Sequence, residues 1–406
     1  MRRKPLFPPV DKATGKPLAD KGSSEHTLVN INGTMGIRRR HYYSKQEGTC
    51  TPIDALLDAV EATVSQGVVE MAARLNTGAK SFARACEDLY RTAQIRINRE
   101  SFRQIVVGEG KRALALARSG KLTVGWYAKD CRGEDGKSTL YLSSDGFMAP
   151  MVTDAEKRKR RAQVMEKRRK TRGKRRRLGR VKPGADQRYK EFKAVMFYDQ
   201  AMEHRLVSVT RGDCRAAGGL MARDAGRLGF GAADYRVGNI DGGPWIIGQI
   251  KSRHLPMTAV GLDFFHLAEN VHKAMHVIYG VDDAAGKALA GEWLHTVKHE
   301  GYAPFREMLL QKRSQLRSRA NKAAMDQLIN YVSDRREMIR YPEFLAHGWQ
   351  IGSGPMESQC GVIPMRIKGP GKRWDADNAE AVMALEAVHQ SNLWSKLWQI
   401  GLNSSL

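Results

Sequence analysis

The chain has 406 residues, of which 42% are hydrophobic, so it is long enough for two or three domains with ordinary apolar cores. Its 68 Lys and Arg outnumber 43 Asp and Glu, which gives a formal net charge of +25. This excess indicates a polyanionic partner, nucleic acid before an anionic membrane surface. The sequence shows no run approaching the roughly 18 apolar residues that span a bilayer, so no membrane role is expected. The N-terminus lacks the apolar segment of a secretory signal.

Cysteine usage indicates a reducing compartment. The five cysteines are scattered and form no C-x-x-C pair. That pattern argues against a disulfide framework and against an intact zinc ribbon. We therefore expect an intracellular, nucleic-acid-associated protein.

The first 120 residues predict a hairpin followed by helices. Residues 1–26 are rich in Pro, Gly and Lys and predict a loosely ordered arm, and 27–43 alternate about an Asn-Gly turn, as in a hairpin. We assign 1–51 to this arm and hairpin, and 52–120 to an α-helical DNA-binding domain. Within it, 80–92 and 98–107 resemble a helix-turn-helix, although a plain helical bundle shows the same pattern.

The middle of the chain predicts a mixed sheet. Short apolar runs predict strands at 122–127, 139–143, 192–198, 206–210, 237–241 and 259–263. Helical patterns fall at 215–228, 245–253 and 266–279. Strands in a meander, followed by strands alternating with helices, are typical of an RNase H-like mixed five-stranded sheet. We assign 121–281 to this α/β core, with a basic insertion at 156–188, an α-helical insertion at 282–345, and the last part of the core at 346–406, ending in an amphipathic helix at 376–400.

A basic run fills residues 157–182, with sixteen Lys or Arg and only Glu166 opposing them. Such density predicts a solvated loop or a helix that orders on contact with phosphate. A plain solvated face and a nuclear-localisation signal are the alternatives. Backbone contact by this run would be sequence-independent and salt-dependent. The candidate DNA contacts in the run are Arg158, Arg160, Arg161, Arg168, Arg169, Lys170, Lys174, Arg175, Arg176 and Arg177.

Three separated acids form the candidate catalytic and metal-binding site. Asp145 and Asp241 each end a predicted strand and precede Gly, and Glu357 opens a predicted helix. Neighbouring strand ends can bring such carboxylates together, and carboxylate oxygens are the ligands that Mg²⁺ prefers. Two such ions can drive phosphodiester chemistry. Each feature has a simpler explanation, because Asp-Gly is an ordinary turn and an acid at a helix start favours the macrodipole.

Asp263 competes with Asp241 for the second position. It ends the next predicted strand, so it would lie on the order of 10 Å from Asp145, given a strand spacing near 5 Å. That distance suits a role in positioning ligands or substrate better than direct metal bridging. His266, three residues later, could contact a phosphate or brace a carboxylate, and a satisfied core histidine is an equal alternative.

A second basic strip follows Glu357. Cations interleaved with glycines and an aromatic ring suit a DNA end whose terminal bases unstack, and a surface loop is the alternative. The candidate DNA contacts here are Arg366, Lys368, Lys372, Arg373 and Trp374.

These motifs resemble a known family. Residues 352–358 (Gly-Ser-Gly-Pro-Met-Glu-Ser) and 366–374 (Arg-Ile-Lys-Gly-Pro-Gly-Lys-Arg-Trp) resemble the carboxyl-terminal signature of DDE transposases from bacterial insertion sequences of the ISKra/ISLre type. The resemblance extends through 262–271, 239–243 and 144–146, and covers about residues 27–395.

The resemblance implies an RNase H-like catalytic domain with a helical insertion before the last acid. It also implies a DDE triad of Asp145, Asp241 and Glu357 with two Mg²⁺ ions, for which Mn²⁺ would substitute. Asp263 and His266 resemble a C/D-x-x-H element of related transposases. Relatives often carry a cysteine-rich hairpin where this chain retains only Cys50, so zinc is not expected.

The function expected from this pattern is a DNA transposase that binds element ends, cuts them and joins them to target DNA. Its partners would be double-stranded DNA and further copies of itself, as a homodimer or higher oligomer on DNA, in the cytoplasmic nucleoid of a bacterium. The alternatives are a non-catalytic or domesticated DNA-binding protein and an RNase H-like nuclease that only hydrolyses.

Overall fold

The protein is a mixed α/β chain that divides into two units, each with its own five-stranded sheet. The computed structural model describes residues 9–12, 14–46, 48–56, 59–60, 63–171 and 177–403. One unit comprises Met1–Leu122, Asp377–His389 and Leu393–Leu406, and the other comprises Thr123–Ala376 and Gln390–Asn392. Within the described ranges, no helix combines the length and apolar character needed to cross a membrane.

The strands, in chain order, are β1 (Ala19–Asn30), β2 (Gly33–Ser44), β3 (Gly48–Cys50), β4 (Ala59–Val60), β5 (Val64–Ser65), β6 (Thr139–Pro150), β7 (Tyr189–Tyr198), β8 (Arg205–Thr210), β9 (Tyr235–Ile240) and β10 (Ala259–Leu262). The helices are α1 (Gln66–Gly78), α2 (Phe82–Ala93), α3 (Arg99–Arg118), α4 (Asp154–Lys170), α5 (Cys214–Leu228), α6 (Pro244–Ser252), α7 (Phe264–Tyr279), α8 (Ala284–His299), α9 (Tyr302–Gln315), α10 (Arg319–Asp334), α11 (Tyr341–Ala346), α12 (Gly354–Val362), α13 (Ala376–Gln390) and α14 (Trp394–Asn403). Short 3-10 turns occupy Pro52–Leu56, Ala128–Asp130, Phe230–Ala232, Arg336–Met338 and Ile363–Arg366.

The first unit contains a long antiparallel hairpin and a cluster of helices that follows it in sequence. β1 and β2 pair up to Asn30 opposite Gly33, and the sheet order is β3-β2-β1-β5-β4. The predicted hairpin is therefore present, but it begins at Ala19, inside the segment expected to be a loose arm. α1 packs on α2 and α3, and α2 packs on α3. The two helices predicted at 80–92 and 98–107 exist as α2 and α3.

The chain returns to the first unit through α13 and α14. The predicted helix at 376–400 is split in two, and the break contains Asn392, whose φ is 55°. Inside this unit, Arg118 of α3 bonds to the buried Glu380 of α13 at 2.8 Å. Arg112 of α3 donates to the carbonyl of Leu397 at 3.2 Å. These ion pairs and hydrogen bonds join the last two helices to α3.

In the second unit, the sheet order is β10-β9-β6-β7-β8. β6, β7 and β8 form an antiparallel meander, while β9 lies parallel to β6 and β10 parallel to β9. Helices α5 and α6 provide the crossovers that parallel strands require. Residues 192–198 of β7 are all buried, so both faces of this strand are covered. Tyr141 of β6 stacks on Tyr198 of β7 with ring centroids 5.1 Å apart.

One predicted strand is wrong. Residues 122–127 alternate as a strand would, but they adopt irregular structure. Both edges of the sheet are already formed by β10 and β8, and Trp126 instead packs edge-on against His204 with centroids 5.3 Å apart. Side-chain packing, not strand pairing, accounts for the apolar residues of this segment.

The helices α8 to α11 stand between α7 and α12, as the predicted helical insertion requires. α7 packs on α8 and α10, and α9 packs on both α8 and α10. Trp293 and Phe305, both fully buried, form the edge-to-face centre of this cluster at 6.4 Å. The cluster therefore has an apolar core of its own.

Candidate active site

Three aspartates lie level across neighbouring strands of the second sheet. β6 pairs with β9 in parallel up to Leu142 opposite Gly238, and continuing that register by three residues brings Asp145 level with Asp241. β9 pairs with β10 up to Ile240 opposite Leu262, so the next residues, Asp241 and Asp263, are also level. Strand spacing near 5 Å places Asp145 beside Asp241 and Asp263 about 10 Å from Asp145.

Asp145 lies within β6 rather than at its end, which corrects the predicted position. The strand continues to Pro150 because its partner β7 pairs with it throughout. Its Oδ1 accepts a hydrogen bond from the Gly146 amide at 2.6 Å. Burial raises the pKa of Asp145, and the negative charge of Asp241 raises it further, while hydrogen bonds from Gly146 and the Cys360 thiol act in the opposite direction. The ionised carboxylate is thus at an energetic disadvantage that a cation would remove.

Asp241 follows β9 and precedes α6. Its Oδ1 accepts a hydrogen bond from the Gly243 amide at 2.7 Å, which fixes the carboxylate at the turn. Gly242 has a φ of +79°, and a Cβ there would lie 2.6 Å from Nε of Arg335. Only glycine fits both the backbone conformation and the close approach.

Glu357 stands exposed in the first turn of α12, a helix that packs on β6 and β7. One turn later on this helix, Cys360 donates a hydrogen bond from its thiol to Asp145. Burial raises the pKa of Cys360, and the negative charges of Asp145 and Glu357 add to that effect. Cys360 therefore lies within electrostatic reach of both carboxylates and links the helix acid to the strand acid.

Asp263 is held by donors on two sides. The carboxylate, only 1% exposed, accepts from His266 Nδ1 at 2.7 Å and from the Ser353 hydroxyl at 2.6 Å. Burial alone would raise the pKa of Asp263, but these two hydrogen bonds and one from the Phe265 amide lower it. Because its oxygens already accept these hydrogen bonds, the Asp263 carboxylate suits the positioning of other ligands or of substrate better than direct metal binding. Its expected distance of about 10 Å from Asp145 indicates the same.

His266 is the cation of the cluster. Its hydrogen bond to Asp263, with the charges of Asp263, Asp241 and Glu269, raises its pKa to about 9 against the opposing effect of burial. Its positive charge also acts on Asp145. The imidazolium side chain, 40% exposed, is therefore available to an anion that enters the cluster. The alternative of a fully enclosed core histidine does not fit this exposure.

Asp145, Asp241 and Glu357 carry the oxygen atoms that a divalent cation accepts, but the structure does not group all three at ligand distance. Among the described residues, the three ligand atoms that all lie within 4.8 Å of one another belong instead to Cys131, Asp199 and His204. Asp145 lies in β6 and Asp241 directly follows the adjacent strand β9, and burial, together with the charge of Asp241, raises the pKa of Asp145. Glu357 adds a third carboxylate that is open to solvent. Oxygen ligands in small number, with room for water, are the coordination that Mg²⁺ favours. Asp145 and Asp241 are the residues that would hold such an ion directly.

The basic run forms a solvated helix. Within 154–170, every side chain of α4 is exposed or half-exposed, and Thr153 caps the helix by accepting from the Glu156 amide. Arg158, Arg160, Arg169, Lys170 and Arg177 are exposed, and Arg161 and Arg168 are half-exposed. Lys174, Arg175 and Arg176 lie outside the described residues. The helix thus presents cations to solvent along its length.

The second basic strip borders a groove. A cavity of about 530 Å³ is lined by the exposed Met148 and Tyr189 together with Arg188 and the loop 368–373. Lys368, Lys372 and Arg373 contribute to this lining. The groove therefore combines three loop cations with two exposed apolar side chains.

Arg366 and Trp374 flank the loop 368–373 in sequence, and neither side chain is exposed. Arg366 is only 4% exposed, its guanidinium lies 5.5 Å from the Trp374 ring, and burial lowers its pKa to about 10. Trp374 Nε1 donates to the carbonyl of Ile367 at 3.0 Å. The structure places Arg366 under the loop and not on the surface predicted to meet DNA.

Two site residues were not found from the sequence. Cys360 and Ser353 contact Asp145 and Asp263, respectively, from α12 and the residue that precedes it. The spacing of Glu357 and Cys360, three residues apart on a helix, was the available signal that the two side chains share one face. Ser353 carried no comparable signal, because its partner lies 90 residues away.

Comparisons with known proteins give three findings. Residues 18–194, less than half of the chain, match the model of the Uncharacterised protein family (UPF0236). No curated protein matches the sequence. Among solved structures, the Drosophila P element transposase strand transfer complex is similar over 83% of this chain and 80% of that chain, with 12% identity and a TM-score of 0.27. This structural similarity is too low to bear on activity, and the ISKra/ISLre type stays a prediction.

Proposed function

We propose that this chain is a DNA transposase that cuts the ends of its own element and joins them to target DNA. The observation that carries the proposal is the proximity of Asp145 in β6 to Asp241, which directly follows the parallel strand β9, with the Cys360 thiol bonded to Asp145 one turn after Glu357. The strand order β10-β9-β6-β7-β8, with helices joining β8 to β9 and β9 to β10, supports an RNase H-like core. The helical insertion before α12 supports the same assignment.

Asp145 and Asp241 are the proposed magnesium ligands, and Glu357 completes the set. Magnesium held there would neutralise charge on the scissile phosphate and acidify an attacking water or 3′-hydroxyl. The protein's own part is to fix the carboxylates: the Gly146 and Gly243 amides orient them from the backbone. His266, protonated at neutral pH, is placed to donate to a phosphate oxygen entering the cluster.

DNA is the proposed partner on the basic surfaces. The exposed cations of α4 and the loop 368–373 supply phosphate contacts, and helices α2 and α3 supply recognition of the element ends. Phosphate contacts fix position without reading sequence, so recognition must come from a separate element. Cutting two ends together requires at least two protomers, and we propose assembly on DNA within the cytoplasm.

The test uses DNA carrying the inverted repeats that flank the gene, incubated with the full-length protein and Mg²⁺. We expect Asp145→Asn, Asp241→Asn and Glu357→Gln each to reduce cleavage by at least about 1,000-fold while gel-shift binding persists. Asp326→Asn, which removes an exposed carboxylate paired with Arg313 on the helical insertion, is the matched control and should retain activity.

The products separate the competing functions. Survival of cleavage in both aspartate variants contradicts the proposed site. Cleavage without joined products identifies a hydrolytic nuclease, and end binding without any cleavage in the wild type identifies a non-catalytic DNA-binding protein.

A further inference from the structure

A second cluster of side chains that can bind a metal ion lies apart from the acidic row, which consists of Asp145, Asp241 and Asp263. Cys131, Asp199 and His204 each offer a ligand atom, and these atoms all lie within 4.8 Å of one another. Cys131 directly follows the 3-10 turn Ala128–Asp130, while Asp199 and His204 flank the turn that joins β7 to β8. A segment before β6 and a hairpin after it therefore converge at one point.

The histidine and the carboxylate are already oriented toward each other. His204 Nδ1 lies 2.6 Å from Asp199 Oδ2, and the His204 amide donates to the same oxygen at 3.2 Å. Trp126 packs against the edge of the imidazole and restricts its rotation. The ring nitrogen and the carboxylate are thus preorganised on one side of the turn, where Cys131 faces them.

The second carboxylate oxygen of Asp199 supplies an independent observation. Asp199 is 6% exposed, and its Oδ1 has no hydrogen-bond partner among the described residues. A buried anionic oxygen without a partner costs free energy comparable to a lost hydrogen bond or more. A bound cation removes that cost, whereas the His204 contact leaves it in place.

We propose that Cys131, Asp199 and His204 bind one Zn²⁺ ion in a structural site. Thiolate and imidazole are ligands that Zn²⁺ accepts and Mg²⁺ does not favour, so the chemistry differs from that of the acidic row. With ligand bonds of about 2.0 to 2.3 Å, ligand atoms in a tetrahedral site lie roughly 3.3 to 3.8 Å apart. Separations near the observed limit of 4.8 Å would have to close by about 1 Å, whereas His204 Nδ1 and Asp199 Oδ2, now 2.6 Å apart, would have to move apart if both bound the ion.

Charge and protons balance on binding. Zn²⁺ with one thiolate and one carboxylate is neutral overall, which suits a buried location. Loading releases the Cys131 thiol proton, and the His204 ring binds as a neutral imidazole whose proton is carried by the nitrogen that does not contact the ion. The His204 side chain is 28% exposed, so the ion has a route from solvent and a water can occupy the fourth position.

The same three residue types also make up nucleophilic Cys-His-Asp triads, but the geometry disfavours that alternative. Cys131 is only 3% exposed, so a substrate cannot reach its sulfur. Burial, with the charges of Asp199 and Asp130, also raises the pKa of Cys131 to about 12. The free thiol is a poor nucleophile under these conditions, whereas metal coordination deprotonates it outright.

The experiment titrates Co²⁺ into the full-length, chelator-treated protein while excess Mg²⁺ occupies the carboxylate row. We expect one equivalent to produce a near-ultraviolet sulfur-to-cobalt charge-transfer band, and Zn²⁺ to abolish it by displacement. Cys131→Ser should remove the band, and Asp199→Asn or His204→Gln should weaken binding at least about 10-fold.

Cys360 provides the decisive control, because it lies beside Asp145 and could give its own sulfur-to-cobalt band. Cys360→Ser and Cys214→Ser should both keep the band. Loss of the band in Cys360→Ser with retention in Cys131→Ser overturns the proposal, as does a wild-type protein that shows no such band at one equivalent. Absence of the band in the wild type overturns the proposal whether or not a variant folds, and a band kept in both Cys360→Ser and Cys214→Ser supports it even if Cys131→Ser fails to fold.

Discussion

Asp145 lies level with Asp241 on the neighbouring parallel strand, and the negative charge of Asp241 adds to burial in raising the pKa of Asp145. Two carboxylates held side by side repel each other unless a proton or a cation stands between them. Pairing with β7 fixes the backbone of Asp145, while Asp241 lies at the turn just beyond β9, where the Gly243 amide holds its carboxylate. Without a cation, the repulsion between the two ionised carboxylates therefore lowers the free energy of unfolding.

Replacement of Asp145 by asparagine should stabilise the cation-free protein. A carboxyl group whose folded-state pKa is raised costs stability above its ordinary pKa, and the cost grows until the pH passes the raised value. Asparagine removes the charge and keeps an oxygen for the Gly146 amide. At pH 7.5 with chelator, we expect the melting midpoint to rise by about 2 °C. Asp326→Asn, whose exposed carboxylate has a pKa lowered by Arg313, should show no increase.

The His266 imidazole should titrate near pH 9. Its hydrogen bond to Asp263 raises the pKa to about 9, so it stays protonated through neutral pH. The stability that this pair contributes is fully present below about pH 6.5 and is lost as the pH rises through about 9. It should amount to on the order of 1 kcal/mol, because solvent screens a side chain that is 40% exposed. NMR titration of the ring carbon resonances measures it.

Asp263→Asn is the matched variant for that titration. It removes the charge and should bring the His266 pKa back toward 6.5. An unchanged His266 titration in Asp263→Asn would show that another group sets the pKa.

Two glycines of α3 should respond in opposite directions to alanine. A Cβ at Gly110 would lie 2.6 Å from the carbonyl carbon of Ala381 in α13, so the helices must separate. A Cβ at Gly108 meets no described atom within 4 Å. We expect Gly110→Ala to cost about 2 kcal/mol or more in unfolding free energy, and Gly108→Ala to gain about 0.5 to 1 kcal/mol from helix propensity. Denaturant unfolding followed by circular dichroism measures both.

Neutralising the basic helix should weaken DNA binding in a salt-dependent way. Replacing the exposed Arg158, Arg160 and Arg169 by glutamine removes up to three of the proposed phosphate contacts. The slope of log K against log salt should fall in magnitude by about 2 to 3, since each contact contributes about 0.9. A charge-matched triple variant at the exposed Arg306, Arg317 and Arg319 of the helical insertion should leave the slope unchanged. Equal losses in the two triple variants would show a non-specific charge effect.

The central sheet was predictable because its strands carry their signals locally. Residues of β7, β8, β9 and β10 form short apolar runs bounded by turn or helix signals, and the structure places strands at all four. The position of Asp145 was less predictable. β6 continues through Gly146 and beyond because β7 supplies hydrogen-bonding partners there, and such pairing is not visible in one segment of sequence.

The candidate site was partly predictable for the same reason. Asp145 and Asp241 each follow or lie in a strand, so topology alone suggests that they meet. The cluster of Cys131, Asp199 and His204 had no such signal, because a loop and a distant hairpin turn supply it. The run at 122–127 was predicted wrongly because apolar alternation does not by itself specify strand pairing: Trp126 packs against His204 outside the sheet, and Tyr127 is 55% exposed.

The first unit is built from the two ends of the chain, since residues 377–389 fold with the first 122. During synthesis, α1 to α3 leave the ribosome before the second unit, but α13, which covers Gly110, is made only after Thr123–Ala376 of that unit. The first unit therefore starts to emerge before residues 123–376 and is completed after them. A polypeptide that stops before α13 would carry α2 and α3 without the helices that contact α3, so we expect the first unit to fold only after α13 and α14 have been made.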